Sequence, residues 1–123
     1  MVRKKSGKNK NLRVDIGGLK LKNPVIVASG TFGYGEEMAG FFDINKLGAI
    51  VTKTITLKPR EGNPTPRIAE TPSGMLNSIG LENKGLADFM YNKVQFLEGL
   101  KTPVIVSIAG DTIEEFCKLS EEL

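Results

Sequence analysis

Lys53 and three small hydroxyl residues are the side chains whose types and positions suggest chemistry. Lys53 and Thr54 follow the apolar run Ala49–Val51, and Ser29 and Ser107 lie at the ends of two other apolar runs. If these runs are parallel strands, their carboxyl ends meet on the face where α/β proteins bind ligands. A fixed cation among hydroxyls suits an anionic, flat ligand with ring carbonyl and N–H groups. The alternative is a lysine that extends along the surface to solvent.

A second candidate for chemistry is the stretch 71–85, which reads TPSGMLNSIGLENKG. Its Gly, Asn and Ser residues bend the backbone and offer short polar groups, including those of Asn77 and Asn83. Apolar residues between them, such as Met75 and Leu81, indicate that the stretch is held against a core. An anchored polar loop is suited to grip a small polar ligand, and the alternative is a packed surface loop.

The elements that position these residues follow from the apolar pattern. Residues 12–16 and Leu19–Leu21 alternate around Gly17-Gly18, which predicts a hairpin. Residues 25–28, 49–51 and 104–108 are short apolar, β-branched runs, which predict strands buried on both faces.

Three helices are predicted between and after these strands. Residues 36–47 form the first, residues 84–99 the second, and Asp111 caps the third with Glu114 three residues on. The expected inner-face residues are Met38, Phe41, Phe42 and Leu47 in the first helix, Leu86, Phe89, Met90, Val94 and Leu97 in the second, and Ile113, Phe116 and Cys117 in the third. Cys117 is thereby predicted to be a small core residue.

Residues 55–83 lack helical periodicity and are rich in Pro and Gly, which predicts a long, structureless, functional loop. On its surface, Arg60, Arg67 and Glu70 are expected to pair only with one another.

Strands that alternate with helices predict an α/β fold with a parallel sheet. Three βα units preceded by a hairpin fit the N-terminal part of a (β/α)8 barrel, which takes about 250 residues. An open three-layer sandwich is the alternative, although three strands leave both sheet edges bare.

Composition narrows the classes of function. The net charge is +3, but residues 1–10 contribute +5 and the other 113 residues sum to −2. Residues 1–10 are therefore predicted to be a disordered basic tail, and a nucleic-acid role would rest on those five charges alone. The chain has one cysteine and no histidine, which excludes an internal disulfide, a Cys/His metal site and a histidine-based triad within it. The absence of a secretory signal and of a membrane-crossing run leads us to expect a cytoplasmic setting, without a membrane partner.

Several runs together resemble a known family. The runs LKNPVIVASGTFGYGEE, VTKTITLKPREGNPTPRIAETPSGMLNSIGLENKG and PVIVSIAG resemble the N-terminal portion of dihydroorotate dehydrogenase, closest to the class 1, type B enzymes that use NAD. The motifs ASG, TKT, GNPTPR and NSIGLEN occur in the family's order and spacing, and the resemblance covers residues 12–123.

The resemblance implies an FMN-dependent (β/α)8 barrel that oxidises dihydroorotate to orotate in pyrimidine biosynthesis. The residues that would contact the flavin are Ala28, Ser29, Gly30, Lys53, Thr54 and Ser107, the last at a position where the family often has asparagine. The residues that would bind the substrate are Lys53, Asn77, Ser78, Ile79, Gly80 and Leu81. The family also implies an iron–sulfur partner subunit that carries FAD and a 2Fe–2S cluster and passes electrons to NAD, in a heterotetramer that contains a homodimer of the catalytic subunit.

The chain departs from the family pattern in one respect that matters for catalysis. The family's catalytic base is a cysteine after the fourth strand, expected beyond Leu123, and Cys117 does not match it. We therefore expect a truncated, inactive piece of a single barrel domain, residues 11–123, without a catalytic base. Two alternatives stay open: a non-catalytic ligand-binding half-barrel, and a related FMN barrel acting on another dihydropyrimidine or on dihydrouridine.

Overall fold

The computed structural model describes residues 11–123, and the predicted disordered tail, residues 1–10, lies outside them. Seven strands, three α-helices and two short 3-10 turns make up the described chain. The strands are β1 (Val14–Ile16), β2 (Leu19–Leu21), β3 (Ile26–Val27), β4 (Ala49–Val51), β5 (Ile68–Thr71), β6 (Gly74–Asn77) and β7 (Val104–Ile105). The helices are α1 (Gly85–Asn92), α2 (Val94–Glu98) and α3 (Ile113–Glu122), and the 3-10 turns are Glu36–Met38 and Ile44–Lys46.

A three-stranded parallel sheet in the order β3-β4-β7 is the centre of the fold. Ile50 of β4 pairs with Val27 on one side and with Val104 on the other. Beyond the named strands, Ile55 and Ile108 form one more parallel bridge. The predicted α/β class and parallel strand order are thus present, and the carboxyl ends of the strands share one face.

The core packs the central strand against the helices. Its buried members are Phe32, Ile44, Ile50, Ile55, Leu86, Phe89, Leu97 and Leu119. Burial on both faces is correct for β4, where Ala49 and Ile50 are buried, and wrong for the outer strands. Ile26 and Ile105 are exposed because β3 and β7 are the edges of this sheet.

The predicted N-terminal hairpin is confirmed. Strands β1 and β2 pair antiparallel, with Val14 opposite Leu21. Gly17 and Gly18 both have positive φ, as the tight turn between two such strands requires.

The helix predicted over residues 36–47 is wrong. The segment forms only the 3-10 turns Glu36–Met38 and Ile44–Lys46. Asp43 starts the second turn, since its side-chain oxygen accepts a hydrogen bond from the Asn45 N–H at 3.0 Å. Such a cap begins a new element in the middle of the expected helix. Phe41, expected inside, is 82% exposed.

The loop predicted over residues 55–83 is not structureless. It contains strands β5 and β6, which form an antiparallel hairpin with Ile68 opposite Asn77 and Thr71 opposite Gly74. All eight residues of the two strands are exposed. The hairpin left no alternating apolar pattern in the sequence because neither face of it packs into the core of the described chain.

The helix predicted over residues 84–99 is present but divides at Lys93 into α1 and α2. Leu86, Phe89 and Leu97 are buried as predicted, whereas Met90 is 42% exposed.

The predicted cap of the last helix is displaced by one residue. Thr112, rather than Asp111, is the N-cap, and its hydroxyl accepts the Glu115 N–H at 3.3 Å. The inner face of α3 shifts with it: Leu119 is buried, while Ile113, Phe116 and Cys117 are exposed. The prediction of Cys117 as a core residue is therefore wrong for the described chain.

Among residues 11–123, no helix is both long enough and apolar enough to span a membrane.

Candidate functional site

Three hydroxyl groups join the carboxyl ends of the three parallel strands. Thr54 Oγ1 lies 3.1 Å from Ser29 Oγ and 2.8 Å from Ser107 Oγ, so the three side chains form a row of hydrogen bonds across the sheet. Ser29 follows β3, Thr54 follows β4 and Ser107 follows β7. The topology brings them together because parallel strands end on the same side of a sheet.

A cavity of about 650 Å³ opens above this row, within the size range of small-molecule sites. Its lining residues are Ser29, Gly30, Thr31, Lys53, Thr54, Ile68, Asn77, Ser78, Ile79, Gly80, Leu81 and Glu82. Nine of the eleven residues predicted from the sequence for flavin or substrate line this one cavity. Ala28 and Ser107 are not among the lining residues, although the Ser107 hydroxyl contacts Thr54, which is.

Lys53 is half-buried where two cavities meet. Its backbone N–H donates to the Gly33 carbonyl at 2.8 Å, which fixes the residue against the loop after β3. Lys53 and Glu82 also line a second cavity of about 970 Å³ beside α1. Within residues 11–123, no carboxylate forms an ion pair with the Lys53 ammonium group, so its charge is available to an anion in the first cavity.

The second cavity contains a cluster of charged groups around Tyr34. Partial burial raises the pKa of Tyr34, and the Asp88 and Glu37 carboxylates add to the effect, although Lys93 opposes it. A hydrogen bond to the Glu36 carboxylate raises the pKa of Lys93. The Lys93 ammonium nitrogen also lies 5.6 Å from the centre of the Tyr34 ring. The wall of the second cavity beside α1 is therefore stabilised by charge interactions as well as by packing.

The loop between β6 and α1 has an unusual backbone at Leu81. Leu81 has φ 57°, a left-handed conformation that residues with a side chain rarely adopt. The buried Asn83 side chain supports it by donating to the Leu81 carbonyl at 2.8 Å. Asn83 Oδ1 in turn accepts the N–H groups of Thr56 at 3.1 Å and Gly85 at 2.8 Å. The sequence predicts Asn83 as a polar group of a ligand-gripping loop, whereas in the structure its side chain holds the loop itself.

The segment 60–67 supports the same loop from the other side. Asn63 Nδ2 donates to the Ser78 carbonyl at 3.0 Å and to the Ser78 hydroxyl at 2.8 Å. Arg67 Nη1 lies 3.2 Å from the Asn63 carbonyl and 3.5 Å from the Ile79 carbonyl, and Arg67 Nη2 pairs with Glu82 at 2.6 Å. Asn63 and Arg67 belong to the GNPTPR motif and support the predicted site residues without being among them.

The arginine pairing expected on this loop is wrong. Arg67 pairs with Glu82, and Arg60 pairs with Asp111 at the start of the last helical segment, so neither uses Glu70. Both pairs bring together residues from separate segments, which a local pattern does not reveal.

Parallel strands, loops that converge at their carboxyl ends and a cavity lysine without an ion-pair partner among residues 11–123 together indicate a class of protein. The chain is an α/β protein whose candidate ligand site lies where sheet and barrel enzymes place theirs. The family model of dihydroorotate dehydrogenase matches residues 11–123, and the chain belongs to this family.

Relatives with curated names place the chain close to one branch of the family. It is 57% identical over 113 residues to "Dihydroorotate dehydrogenase B (NAD(+)), catalytic subunit" of Thermoanaerobacter sp. (strain X514), a match that covers 92% of this chain and 37% of the relative. The protein of the same name from Geotalea uraniireducens (strain Rf4) is 54% identical over 113 residues, with the same coverage. The resemblance seen in the sequence is thereby confirmed, and the chain spans about 37% of the length of these relatives.

Solved structures agree on the fold. Ligand-free dihydroorotate dehydrogenase from Eimeria tenella matches with a TM-score of 0.68 and 25% identity, over 98% of this chain and 36% of that one. The same enzyme in complex with ferulenol matches with a TM-score of 0.62 and 21% identity, over 95% of this chain and 35% of that one.

Proposed function

We propose that this chain forms part of a type B dihydroorotate dehydrogenase, in which FMN accepts electrons from dihydroorotate and passes them towards NAD. The observation that supports this proposal most strongly is that Lys53 and the loop residues Asn77–Leu81 line one cavity at the strand ends. In this proposal the whole domain is a (β/α)8 barrel that acts in the cytoplasm, and residues 11–123 are its N-terminal part.

The chemistry of the cavity suits the proposed substrate. Dihydroorotate carries a carboxylate and a ring with two carbonyl groups and two N–H groups. Lys53 offers the single cation that a carboxylate needs, and the Asn77 amide offers both a donor and an acceptor. The backbone N–H groups of Ile79, Gly80 and Leu81 form no hydrogen bond among the described residues, and they provide further donors along the same wall. We therefore assign Lys53 and these loop residues to the substrate.

The floor of the cavity suits a flat cofactor. Ser29, Gly30 and Thr54 are small, so they leave room for a planar ring against the strand ends. We propose that these residues, with Ala28 beside them and Lys53 at the edge, hold the FMN ring, which supplies an acceptor for the hydride removed from the substrate. Lys53 would also stabilise the negative charge that develops on either ring.

The oxidation also removes a proton from the substrate, and no cysteine or histidine lines the cavity among the described residues. Cys117 lies exposed on α3 and is not among the lining residues. We propose that the base is a cysteine outside the present sequence and that residues 1–123 alone have no turnover.

The names of the relatives supply the proposal for partners. They are "catalytic subunit" proteins of an NAD(+) enzyme, which implies a second subunit for electron transfer. We propose that this partner carries FAD and a 2Fe–2S cluster, and that two catalytic subunits form a homodimer within a heterotetramer.

The test compares two forms of the protein: residues 1–123, and the full length that the gene encodes. The full-length form is expected to bind FMN and to bleach its visible absorption when dihydroorotate is added without oxygen. Residues 1–123 are expected to show no turnover.

Two outcomes would contradict the proposal. Flavin binding with bleaching by another dihydropyrimidine or by dihydrouridine, but not by dihydroorotate, would favour a related barrel. Ligand binding with no reduction of any of these would favour a non-catalytic half-barrel.

A further inference from the structure

Residues 28–30, which follow β3 directly, are joined to Thr54 by the Ser29 hydroxyl group. The paired part of β3 ends at Val27, which lies opposite Ile50. Ser29 therefore lies beyond the backbone ladder, and Gly30 follows it with φ 80°. Among the described residues, the 3.1 Å contact with Thr54 is the side-chain hydrogen bond that joins residues 28–30 to another element. The position of Ser29 in the cavity thus depends on Thr54.

The other end of the row is fixed by the backbone. The Ser107 N–H donates to Thr52 Oγ1 at 3.2 Å, and the Ser107 carbonyl accepts the Ile55 N–H at 2.9 Å. Its hydroxyl contacts Thr54 at 2.8 Å, and Ser107 is absent from the lining of the cavity. The backbone therefore fixes Ser107 beside Thr54, and Thr54 lies between the Ser107 hydroxyl and Ser29 in the row.

The number of hydroxyl protons limits how many hydrogen bonds the row can donate to a ligand. Three hydroxyl groups carry three protons, and the two hydrogen bonds within the row use two of them. One proton is left for a ligand. If Ser107 donates to Thr54 and Thr54 donates to Ser29, that proton is on Ser29, in the cavity. Removing the Ser107 hydroxyl frees Thr54 to rotate, and the direction of donation at Ser29 is then no longer set.

We propose that Ser107 is a positioning residue that acts on the bound ligand only through Thr54, by orienting the hydroxyl row so that Ser29 donates one hydrogen bond to an acceptor on the edge of a planar ring. This inference rests on the proposed flavin site and assigns Ser107 a role other than direct contact. It differs from the direct contact that family resemblance implies for this position.

A double-mutant cycle on FMN affinity tests the proposal in the full-length protein. The variants are Ser107→Ala, Thr54→Val and the two combined, and the readout is the Kd for FMN from quenching of flavin fluorescence. One hydrogen bond between neutral groups corresponds to about a threefold to tenfold change in affinity. Ser107→Ala is expected to weaken FMN binding by that factor in the wild-type background and to have no effect in the Thr54→Val background.

The controls separate positioning from loss of fold. Ser107→Thr keeps a hydroxyl and should restore the affinity, and Thr54→Ser should do the same at its position. Ser120→Ala removes a hydroxyl from α3, far along the chain from the cavity lining, and should leave the Kd unchanged. Thermal unfolding without FMN and the visible spectrum of bound FMN are recorded for every variant.

A Ser107→Ala effect of the same size in both backgrounds would show direct contact and would overturn the inference. So would a loss of affinity that follows the loss of thermal stability and is not restored by Ser107→Thr. A full-length protein that binds no FMN at all would instead contradict the proposed function, which keeps the two failures distinct.

Discussion

Arg67 Nη2 lies 2.6 Å from Glu82 Oε2, and this ion pair spans the base of the loop that carries Ser78, Ile79 and Leu81. The same guanidinium also faces three backbone carbonyls, those of Glu61 at 3.3 Å, Asn63 at 3.2 Å and Ile79 at 3.5 Å. One side chain therefore ties the GNPTPR segment to the wall of the candidate site.

The two partners of this ion pair are expected to differ in importance. Glu82→Gln removes only a partly exposed ion pair and should cost less than about 1 kcal/mol of the free energy of unfolding. Arg67→Met also removes the guanidinium donor from the Glu61 and Asn63 carbonyls and should cost about 1–3 kcal/mol. Urea denaturation measures both, with Arg13→Met at an exposed position as the matched control. Equal losses for the two variants would show that the carbonyl contacts contribute nothing.

Gly62 lies outside the cavity but is expected to control its shape. A Cβ at Gly62 would lie 2.3 Å from the Ile79 carbonyl oxygen, and its φ of +75° disfavours any residue with a side chain. Gly62→Ala should therefore displace the loop, lower stability by about 1–3 kcal/mol and weaken ligand binding in the full-length protein. Gly74→Ala at the start of β6 is the matched control, because its Cβ would meet only Thr71 Oγ1, at 3.9 Å. Normal affinity in Gly62→Ala would contradict this role.

Asn83 is expected to be the main structural support of the site. Asn83→Ala leaves the buried N–H groups of Thr56 and Gly85 without their acceptor and the strained Leu81 without its support. The loss should be about 2–4 kcal/mol, because buried donors left without a partner are costly. Asn92→Ala removes an exposed amide whose one contact is Asp88, and it should cost well under 1 kcal/mol. Thermal unfolding of the two variants gives the comparison, and similar midpoints would refute the assignment.

The sequence predicted which candidate-site residues lie together better than it predicted the elements around them. Lys53, Thr54 and Ser29 follow apolar runs, and the rule that parallel strands end on one face places them together without any other information. The local sequence pattern does not predict an element or an ion pair when the contacts that determine it join residues distant in sequence. Arg67 and Glu82 are fifteen residues apart. Nothing in the spacing of the phenylalanines near residue 41 shows that Asp43 caps a separate turn there.

Alkaline pH is expected to destabilise the wall beside α1. The pKa values of Lys93 and Tyr34 are raised in the folded chain, above 10.5 and 10.0 respectively, by the Glu36 hydrogen bond and by burial. Groups with a raised pKa bind protons more tightly when folded, so their contribution is complete below about pH 10 and is lost as pH rises through the raised values. The denaturation midpoint should therefore decrease as the pH rises above 10.

Two substitutions assign this loss to its source. Lys93→Arg keeps the charge to higher pH and should reduce the fall, and Tyr34→Phe should remove the tyrosine's share of it. If both variants lose stability above pH 10 as the wild type does, groups other than Lys93 and Tyr34 cause the loss.

Lys53 is the residue on which the proposed chemistry depends most. Its ammonium group lines the cavity without a carboxylate partner among the described residues, so an anionic ligand would gain its full charge. Lys53→Met in the full-length protein removes this charge at similar length and should lower turnover of dihydroorotate by about 100-fold or more, as loss of an electrostatic contact to a reacting group does. Because Lys53 forms no ion pair within residues 11–123, the thermal unfolding midpoint should change little. Lys58→Met, at an exposed position outside both cavities, is the matched control. Turnover within threefold of wild type in Lys53→Met would show that this lysine takes no part in the reaction. If Lys53→Met loses folded protein as well as turnover, Lys53→Arg decides the question, because it keeps the charge and should retain substrate binding.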